Sequence, residues 1–257
     1  MGLFDNLFER KECDICGGKV GLLGGTKVKD GRLCKECAGK LSPHLTGLKN
    51  LTLDDIKEHL AYREENAEKV KAFNVTHVIG GKGAKLYLDM EKKQIIVSSS
   101  TNWRNSNPDI LNFDQIVGND LEIKENKKEI KKKGEDGKEV SYNPKRYEYS
   151  YNFFIYLDVN SPWFNAQTLK VNSSAVDGYD NDVYEQCYID SVEMCEVLDL
   201  LKNGETEQVD EAVSYYKSLR EAPKRSYGKT YYTDTKKYSR SYSYYYEKDP
   251  RKDHYKF

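Results

Sequence analysis

Two Cys-x-x-Cys pairs near the start of the chain constrain its folding more than any other feature. The first pair is Cys13 and Cys16, the second is Cys34 and Cys37, and seventeen residues separate them. This spacing is typical of a structural four-cysteine zinc site, because two tight turns can direct four sulfur atoms towards one tetrahedral ion. The sequence therefore predicts that these four cysteines bind one structural Zn²⁺ per chain.

The residues around the two pairs predict a small zinc finger over residues 1–43. Lys19–Leu23 and Thr26–Leu33 favour a short hairpin, with Asp30-Gly31 as a turn. A helix then begins at Cys34, so the last two cysteines lie at its positive end, which favours thiolates. A turn, a hairpin and a helix in this order are the layout of a treble-clef-like finger.

Beyond the finger, the apolar pattern changes from a helical period to a period of two. Thr52 and Asp55 form a capping-box signal that starts a linker helix within residues 44–73, with Leu53, Ile56, Leu60 and Ala67 on its apolar face. Alternating apolar residues then predict strands, and the β-rich domain of residues 74–204 ends in a helix over 182–203. The predicted strands are Val75–Ile79, Lys85–Asp89, Gln94–Ser99, Ile110–Val117, Leu121–Ile130, Tyr147–Val159 and Thr168–Asn172.

Three stretches of this domain allow two interpretations each. The Gly80–Gly83 run invites comparison with a phosphate loop, but it lacks the Gly-Lys-Ser/Thr ending, so a hairpin turn is favoured. The lysine-rich segment 127–133 can meet phosphate, but interleaved glutamates favour a solvated hairpin whose lysines protect a sheet edge. The aromatic row from Tyr147 to Ile155 can stack bases, but the core face of a sheet explains it more simply.

The end of the chain differs in composition from the rest. An amphipathic helix is predicted over residues 205–223. Residues 224–257 contain nine tyrosines, ten basic and four acidic residues, and no Ala, Val, Leu, Ile or Met. With no aliphatic side chain to bury, this basic tail is predicted to be disordered. The sequence thus predicts an α+β protein made of a finger, a linker helix, a β-rich domain, a further helix and a tail.

Two resemblances add to this interpretation. The stretch from Cys13-Asp14-Ile15-Cys16 to Cys34-Lys35-Glu36-Cys37 resembles the N-terminal zinc-finger module of bacterial and phage proteins grouped under a domain of unknown function. The Met1-Gly2-Leu3-Phe4-Asp5 start and the Leu60–Asn66 helix resemble the same group, so the match covers about residues 1–72. The resemblance implies that the four cysteines are zinc ligands, and it implies no activity.

The second resemblance concerns the β-rich domain. Leu88-Asp89 before Gln94–Val97, and the run Leu111–Ile116, are similar to the strand pattern of bacterial pleckstrin-homology-like domains. Several strands that end in one capping helix give the same layout over residues 75–203. The resemblance implies a fold and a role in assembly, but no lipid site.

The functional expectation is a non-enzymatic protein. The histidines, at positions 44, 59, 77 and 254, are far apart in sequence, and no nucleophile motif accompanies them. Four thiolates would leave a zinc ion no open position for a reacting water molecule. Four of the six cysteines lie in pairs with the spacing of metal ligands, and Cys187 and Cys195 fit buried packing. This use of cysteine indicates the reducing cytoplasm. No apolar run approaches the roughly 18 residues of a membrane span.

The expected role is that of an interaction or scaffold protein with a protein partner. A finger, a β-rich platform with open edges and a tyrosine-rich tail fit this role, and the β-rich domain is expected to fold independently of the finger. The alternative is a nucleic-acid-binding protein that uses the finger and the basic tail.

Overall fold

The chain has an α+β fold, as the sequence predicted, in which eight strands follow one another between two pairs of helices. The computed structural model describes residues 12–21, 25–179 and 181–221. The predicted tail, 224–257, and the N-terminal residues 1–11 lie outside them. In chain order the elements are β1 (Thr26–Lys27), β2 (Arg32–Leu33), α1 (Lys35–Gly39), α2 (Leu53–Ala72), β3 (His77–Ile79), β4 (Lys85–Asp89), β5 (Gln94–Ser98), β6 (Ile110–Asn112), β7 (Ile116–Lys133), β8 (Glu139–Val159), β9 (Ala166–Lys170), β10 (Val176–Asp177), α3 (Asp182–Asn203) and α4 (Val209–Glu221).

Two antiparallel sheets form the β-rich part of the molecule. The first sheet has the order β3-β4-β5-β6, so each strand pairs with its neighbour in sequence. In the second sheet β8 is central, with β7 on one side and β9 and β10 on the other. Alternate residues of the strands bury one face, as the period-two pattern predicted; Leu86, Leu88, Ile95, Phe153 and Ile155 are fully buried.

The second sheet contains the largest departure from the predicted boundaries. The predicted strand 110–117 is two strands, β6 and the start of β7, separated by a 3₁₀ turn over Phe113–Gln115. The predicted strands 121–130 and 147–159 both continue to the hairpin turn, as β7 and β8. The pairing persists beyond the apolar alternation because ladder hydrogen bonds, rather than side-chain burial, hold the outer part together.

The glycine run between β3 and β4 belongs to a hairpin, as predicted. His77 to Ile79 pair with Leu88 to Leu86 across the turn. A Cβ atom on Gly83 would lie 2.3 Å from the carbonyl oxygen of Val171, and Gly83 donates its N–H to that same oxygen. A Cβ atom on Gly81 would lie 2.1 Å from Oδ2 of Asp190. The glycines therefore allow this turn to contact the end of β9 and helix α3.

Helix α2 joins the finger to the first sheet by packing at both of its ends. Its start has the predicted capping box, in which Thr52 and Asp55 exchange hydrogen bonds with each other's backbone. Near the start, Ile56 packs into a core formed with the finger. Near the end, Val70 packs with Trp103 and other apolar residues of the first sheet. The linker is therefore a bridge with two buried contacts.

Two helices complete the fold at its C-terminal side. Asn181 accepts hydrogen bonds from the N–H groups of Val183 and Tyr184 and caps α3, which ends at Gly204 with a φ of 78°. The following helix begins at Val209 after a 3₁₀ turn, four residues later than predicted. Arg220 of α4 binds Asp190 and Glu193 of α3 and holds the two helices together. Among the described residues, no helix combines the length and the apolar character that a membrane crossing requires.

Candidate metal centre

The four paired cysteines converge on one point. The sulfur atoms of Cys13, Cys16, Cys34 and Cys37 all lie within 4.8 Å of one another, and three of these residues are buried. A tetrahedral ion with bonds of about 2.3 Å to sulfur requires sulfur atoms about 3.8 Å apart. The Sγ atoms of Cys16 and Cys34 are 3.7 Å apart. The cluster therefore has the donor type and the size to hold a metal ion.

Backbone hydrogen bonds around the first pair form a tight turn. The N–H of Gly17 donates to the carbonyl of Cys13 over 2.8 Å, and the N–H of Cys13 donates to the carbonyl of Gly18 over 2.8 Å. Gly17 has a φ of 68°, a conformation that costs glycine little and other residues more. This turn brings Cys16 back over Cys13 and explains the glycine that directly follows the pair.

The second pair lies at the start of α1. Cys34 is the residue that caps the helix, and its sulfur accepts a hydrogen bond from the N–H of Cys37 over 3.4 Å. The exposed N–H groups of a helix start favour negative charge on a nearby atom. The helix is shorter than the predicted stretch from Cys34 to Leu41, since it ends at Gly39.

The surroundings of the cluster shift the pKa values of two of its thiols in opposite directions. Burial opposes the ionisation of Cys13, but N–H groups of Cys34, Cys16 and Ile15 outweigh that effect and lower its pKa to about 6. Burial and hydrogen bonds with the other three sulfur atoms raise the pKa of Cys37 above its usual range. One thiolate therefore forms readily, whereas a further thiolate is opposed. A divalent cation removes this opposition because it neutralises the added charge.

The finger hairpin differs from the predicted one. Its strands are β1 and β2, and Lys19 instead forms an isolated bridge with Glu12. The N–H of Val28 donates to the carbonyl of Gly31, which closes the turn at the predicted place. Residues 22–24 lie outside the described part of the chain. The hairpin also contacts α2, because Asp30 accepts a hydrogen bond from the N–H of Leu53 over 2.7 Å.

A buried polar cluster next to the finger was not predicted. We call Ser42, His59, Arg63, Asn66 and Asp109 the finger–sheet joint. All five side chains are buried, and they come from the end of the finger, from α2 and from the residue before β6. Arg63 pairs with Asp109 over 2.6 Å, and their side chains are 6% and 0% exposed. Ser42 donates its hydroxyl to the same carboxylate over 2.7 Å.

The joint lies on a face of α2 different from the predicted one. The predicted apolar stripe combines Leu53, Ile56, Leu60 and Ala67, whereas the buried residues are Ile56, His59, Arg63, Asn66 and Val70. At about 100° per residue, the buried face is rotated by about 70° from the predicted stripe. In the sequence, His59, Arg63 and Asn66 follow one another at helical spacing between Ile56 and Val70. This pattern did not indicate a buried face because polar residues are usually exposed.

The joint brings a serine, a histidine and an aspartate together, but not as a nucleophile with its base. The hydroxyl of Ser42 donates to Asp109, not to a histidine. Nε2 of His59 accepts a hydrogen bond from the backbone N–H of Ser42 over 3.0 Å. Because Nε2 is an acceptor, the ring hydrogen of neutral His59 is on Nδ1, and burial together with Arg63 lowers the pKa of His59 to about 4. The arrangement connects structural elements, and His59 contacts the backbone of Ser42 rather than its hydroxyl.

The remaining residues considered in the sequence lie away from the cysteine cluster. Cys187 and Cys195 of α3 are free thiols, and burial raises their pKa values, that of Cys187 to about 11. His77 binds Asp210 over 2.7 Å, and His254 lies outside the described residues. Among the described residues, the four paired cysteines are the set that lies together as a candidate for metal binding.

Comparison with known proteins agrees with this description of the N-terminal part. Residues 11–59, which include the finger and the first part of α2, match the model of a family described as Domain of unknown function (DUF4428). Neither the curated proteins nor the solved structures give a match to the chain. The family match and the cysteine cluster together fit an N-terminal zinc-finger-like domain of unknown function.

Proposed function

We propose that the four cysteines hold one structural zinc ion, and that the chain is a non-enzymatic scaffold that binds a protein partner. Four sulfur donors with tetrahedral spacing are typical of zinc, and four protein ligands leave no position for a reacting water molecule. The turn, the β1–β2 hairpin and α1 support the treble-clef-like assignment of the finger. The absence of catalysis is part of the proposal.

The assignment of residues 74–204 to a pleckstrin-homology-like fold is also part of the proposal. Support comes from the order of the elements, since four strands in one sheet are followed by four in a second sheet and by helix α3. Such a platform presents sheet edges and loops on a rigid core, which suits the binding of another protein. Its expected location is the cytoplasm, where free thiols persist.

The observation that carries the scaffold role is the outer part of the β7–β8 hairpin. Its residues are mostly exposed from Lys124 to Glu148, whereas the inner part of the same hairpin contains Phe153 and Ile155 in the core. The pairing of a long ribbon with so little burial adds little stability to the chain alone, because two-stranded hairpins are marginally stable in water. A surface of this kind suits a partner.

The zinc proposal is tested by metal analysis of freshly purified, reduced protein. We expect one zinc ion per chain, and the Cys13→Ser variant should lose most of it because three sulfur ligands bind much more weakly than four. The matched control is Cys187→Ser, which changes a cysteine of α3 outside the cluster and should retain the metal. Protein that contains no zinc, or a Cys13→Ser variant that retains it fully, would contradict the proposal.

The scaffold proposal is tested by co-purification of the native chain at physiological salt. We expect a protein to be retained in stoichiometric amount, before and after nuclease treatment. Loss of all retained protein on nuclease treatment, together with binding to single-stranded nucleic acid, would favour the alternative function. A chain that retains neither protein nor nucleic acid would contradict both.

A further inference from the structure

The outer part of the β7–β8 hairpin is a two-stranded ribbon that lacks a third strand. We call residues 124–133 of β7 and 139–149 of β8 the arm. Strand β9 pairs with β8 only at residues 154–158, and β10 pairs with it only at residues 150 and 151. Two strands alone are marginally stable, and a third strand typically provides the missing support. The arm therefore has the form of an incomplete sheet.

The side of β7 that faces away from β8 is a free edge. Within the described part of the chain, β7 pairs with β8 and with no other strand. Alternate residues of an edge strand direct unpaired N–H and C=O groups outwards, and these groups can pair with an added strand. Ten residues of β7 lie in the arm, which corresponds to about 33 Å of edge. This length accommodates an extended peptide of about ten residues.

The charge of this edge is strongly positive. Residues 124–133 contain six lysines and two glutamates, a net charge of +4. Both glutamates already have partners, since Glu125 accepts a hydrogen bond from Tyr151 and Glu129 binds Lys145. Lys127 lies 4.1 Å from the centre of the Tyr147 ring, which holds this side chain along the ribbon. Lys128, Lys131 and Lys133 are exposed and form no ion pair with any described residue.

The charge determines which strand the edge can accept. Pairing with the same edge of a second copy would place lysines next to lysines, which is unfavourable across adjacent strands. An acidic strand would instead place carboxylates next to the lysines. Lys131 and Lys133 share one face of β7 and Lys128 lies on the other, so carboxylates on either face of the added strand would lie next to a lysine. The turn carries Glu135 and Asp136, which would repel a continuous phosphate chain that followed the arm to its tip.

We infer that the free edge of β7 in the arm binds an extended, acidic segment of a protein partner as a third strand. This inference rests on the proposed function and names the site and the partner's chemistry. Backbone hydrogen bonds provide binding along the edge, and contacts between carboxylates and lysines set the preference for an acidic sequence. The lysines thus serve two purposes, because they prevent pairing between copies and attract the partner.

A direct test uses the full chain and a fluorescent ten-residue peptide that alternates glutamate and threonine. We expect saturable binding at low salt, and slower hydrogen exchange of those amides in residues 124–133 that do not face β8. A peptide that alternates lysine and threonine is the matched control and should not bind. Strand addition, unlike adsorption to surface charge, requires both the binding and the slower exchange.

Matched lysine variants assign the binding to this edge. The triple variant Lys128→Gln, Lys131→Gln, Lys133→Gln should bind the acidic peptide about tenfold more weakly, because three favourable charges are removed without a change in the backbone edge. The control, Lys49→Gln, Lys69→Gln, Lys217→Gln, neutralises three exposed lysines outside the arm and should bind as the native chain does. Equal weakening by the two triple variants would overturn the inference.

Two further outcomes also overturn it. One is binding of a single-stranded oligothymidine at the same salt with no slower exchange in β7, which would make the arm a phosphate site. The other is no binding of the acidic peptide at all. If the native chain still retains a protein partner and the arm triple variant retains it equally, the scaffold proposal stands and only the assignment to this edge fails.

Discussion

Asp109 carries a buried negative charge at the place where the finger, α2 and β6 meet. Its carboxylate accepts hydrogen bonds from Arg63, from Ser42 and, over 3.4 Å, from Tyr62. Arg63 also donates to the carbonyl of Lys40 and to that of Asn107. Each of the three guanidinium nitrogens therefore has an acceptor, and the positive charge depends on one carboxylate for compensation.

Replacement of Asp109 by asparagine should be strongly destabilising. The change leaves the charge of Arg63 buried without a partner, which typically costs about 3–5 kcal/mol of unfolding free energy. Chemical denaturation measures this loss. The matched control is Asp54→Asn, because Asp54 pairs with Lys57 over 2.8 Å but is 90% exposed, and its loss should stay below about 1 kcal/mol. Similar losses in the two variants would contradict the role of the joint.

The stability of the fold should depend on pH through His59. Its side chain is fully buried and its pKa in the folded chain is about 4, against 6.5 for an unperturbed histidine. Between these values the unfolded chain binds a proton that the folded chain does not, so stability falls as the pH falls from 6.5 towards 4. A shift of this size corresponds to about 3 kcal/mol.

Denaturation midpoints at pH 7, 5.5 and 4 test this expectation. In the His59→Gln variant the amide oxygen can still accept the N–H of Ser42, but no proton is taken up in this range. The variant should therefore lose less stability than the native chain on acidification. An identical pH dependence in both proteins would show that His59 does not contribute.

At the scale of elements, the turn between β3 and β4 depends on a close backbone contact. Gly83→Ala would place a Cβ atom 2.3 Å from the carbonyl oxygen of Val171 and 2.4 Å from that of Lys170, and neither oxygen belongs to a flexible side chain. We expect a loss of about 2 kcal/mol or more in unfolding free energy, since the backbone of one element must move.

The matched control for this element is Gly118→Ala in β7. A Cβ atom there would have no atom within 4 Å, so the variant should be as stable as the native chain or slightly more stable. Thermal unfolding of both variants separates the effect of the close contact from the general effect of glycine in a strand. Equal melting temperatures for the two variants would contradict the predicted contact.

At the scale of the whole molecule, the joint leads us to expect that the finger and the first sheet unfold together. The sequence favoured independent domains, and that prediction has not been tested. The described residues belong to one compact unit, and the joint places buried ionic contacts between its parts. Removal of the metal should therefore destabilise the sheet as well as the finger.

The two tryptophans allow this coupling to be measured. Trp103 is buried against the first sheet, in the 3₁₀ turn between β5 and β6, and Trp163 lies against His59 at 4.7 Å between ring centres. In a Trp163→Phe variant, only Trp103 reports, and metal chelation should lower the unfolding free energy that it reports by about 3 kcal/mol. Addition of Asp109→Asn should reduce this effect of chelation. A Trp103 transition that chelation leaves unchanged would show that the domains are independent.

The sequence by itself determined the features that depend on neighbouring residues. Cysteine spacing predicted which four side chains would come together, because each pair lies on one turn. The capping box of α2 and the end of α3 at Gly204 were predicted for the same reason, since a helix end is formed by the residues beside it. Strand β4 was predicted with its observed bounds from alternation alone.

Only the tertiary structure decided which surfaces meet. The buried face of α2 contains His59, Arg63 and Asn66 because their partners lie far along the chain, and Asp109 is 46 residues from Arg63. No local pattern indicates that a charge will be buried, since this depends on the arrival of an opposite charge from another element. The length of the arm was decided in the same way, by the register of β7 and β8 rather than by the apolar residues of either strand.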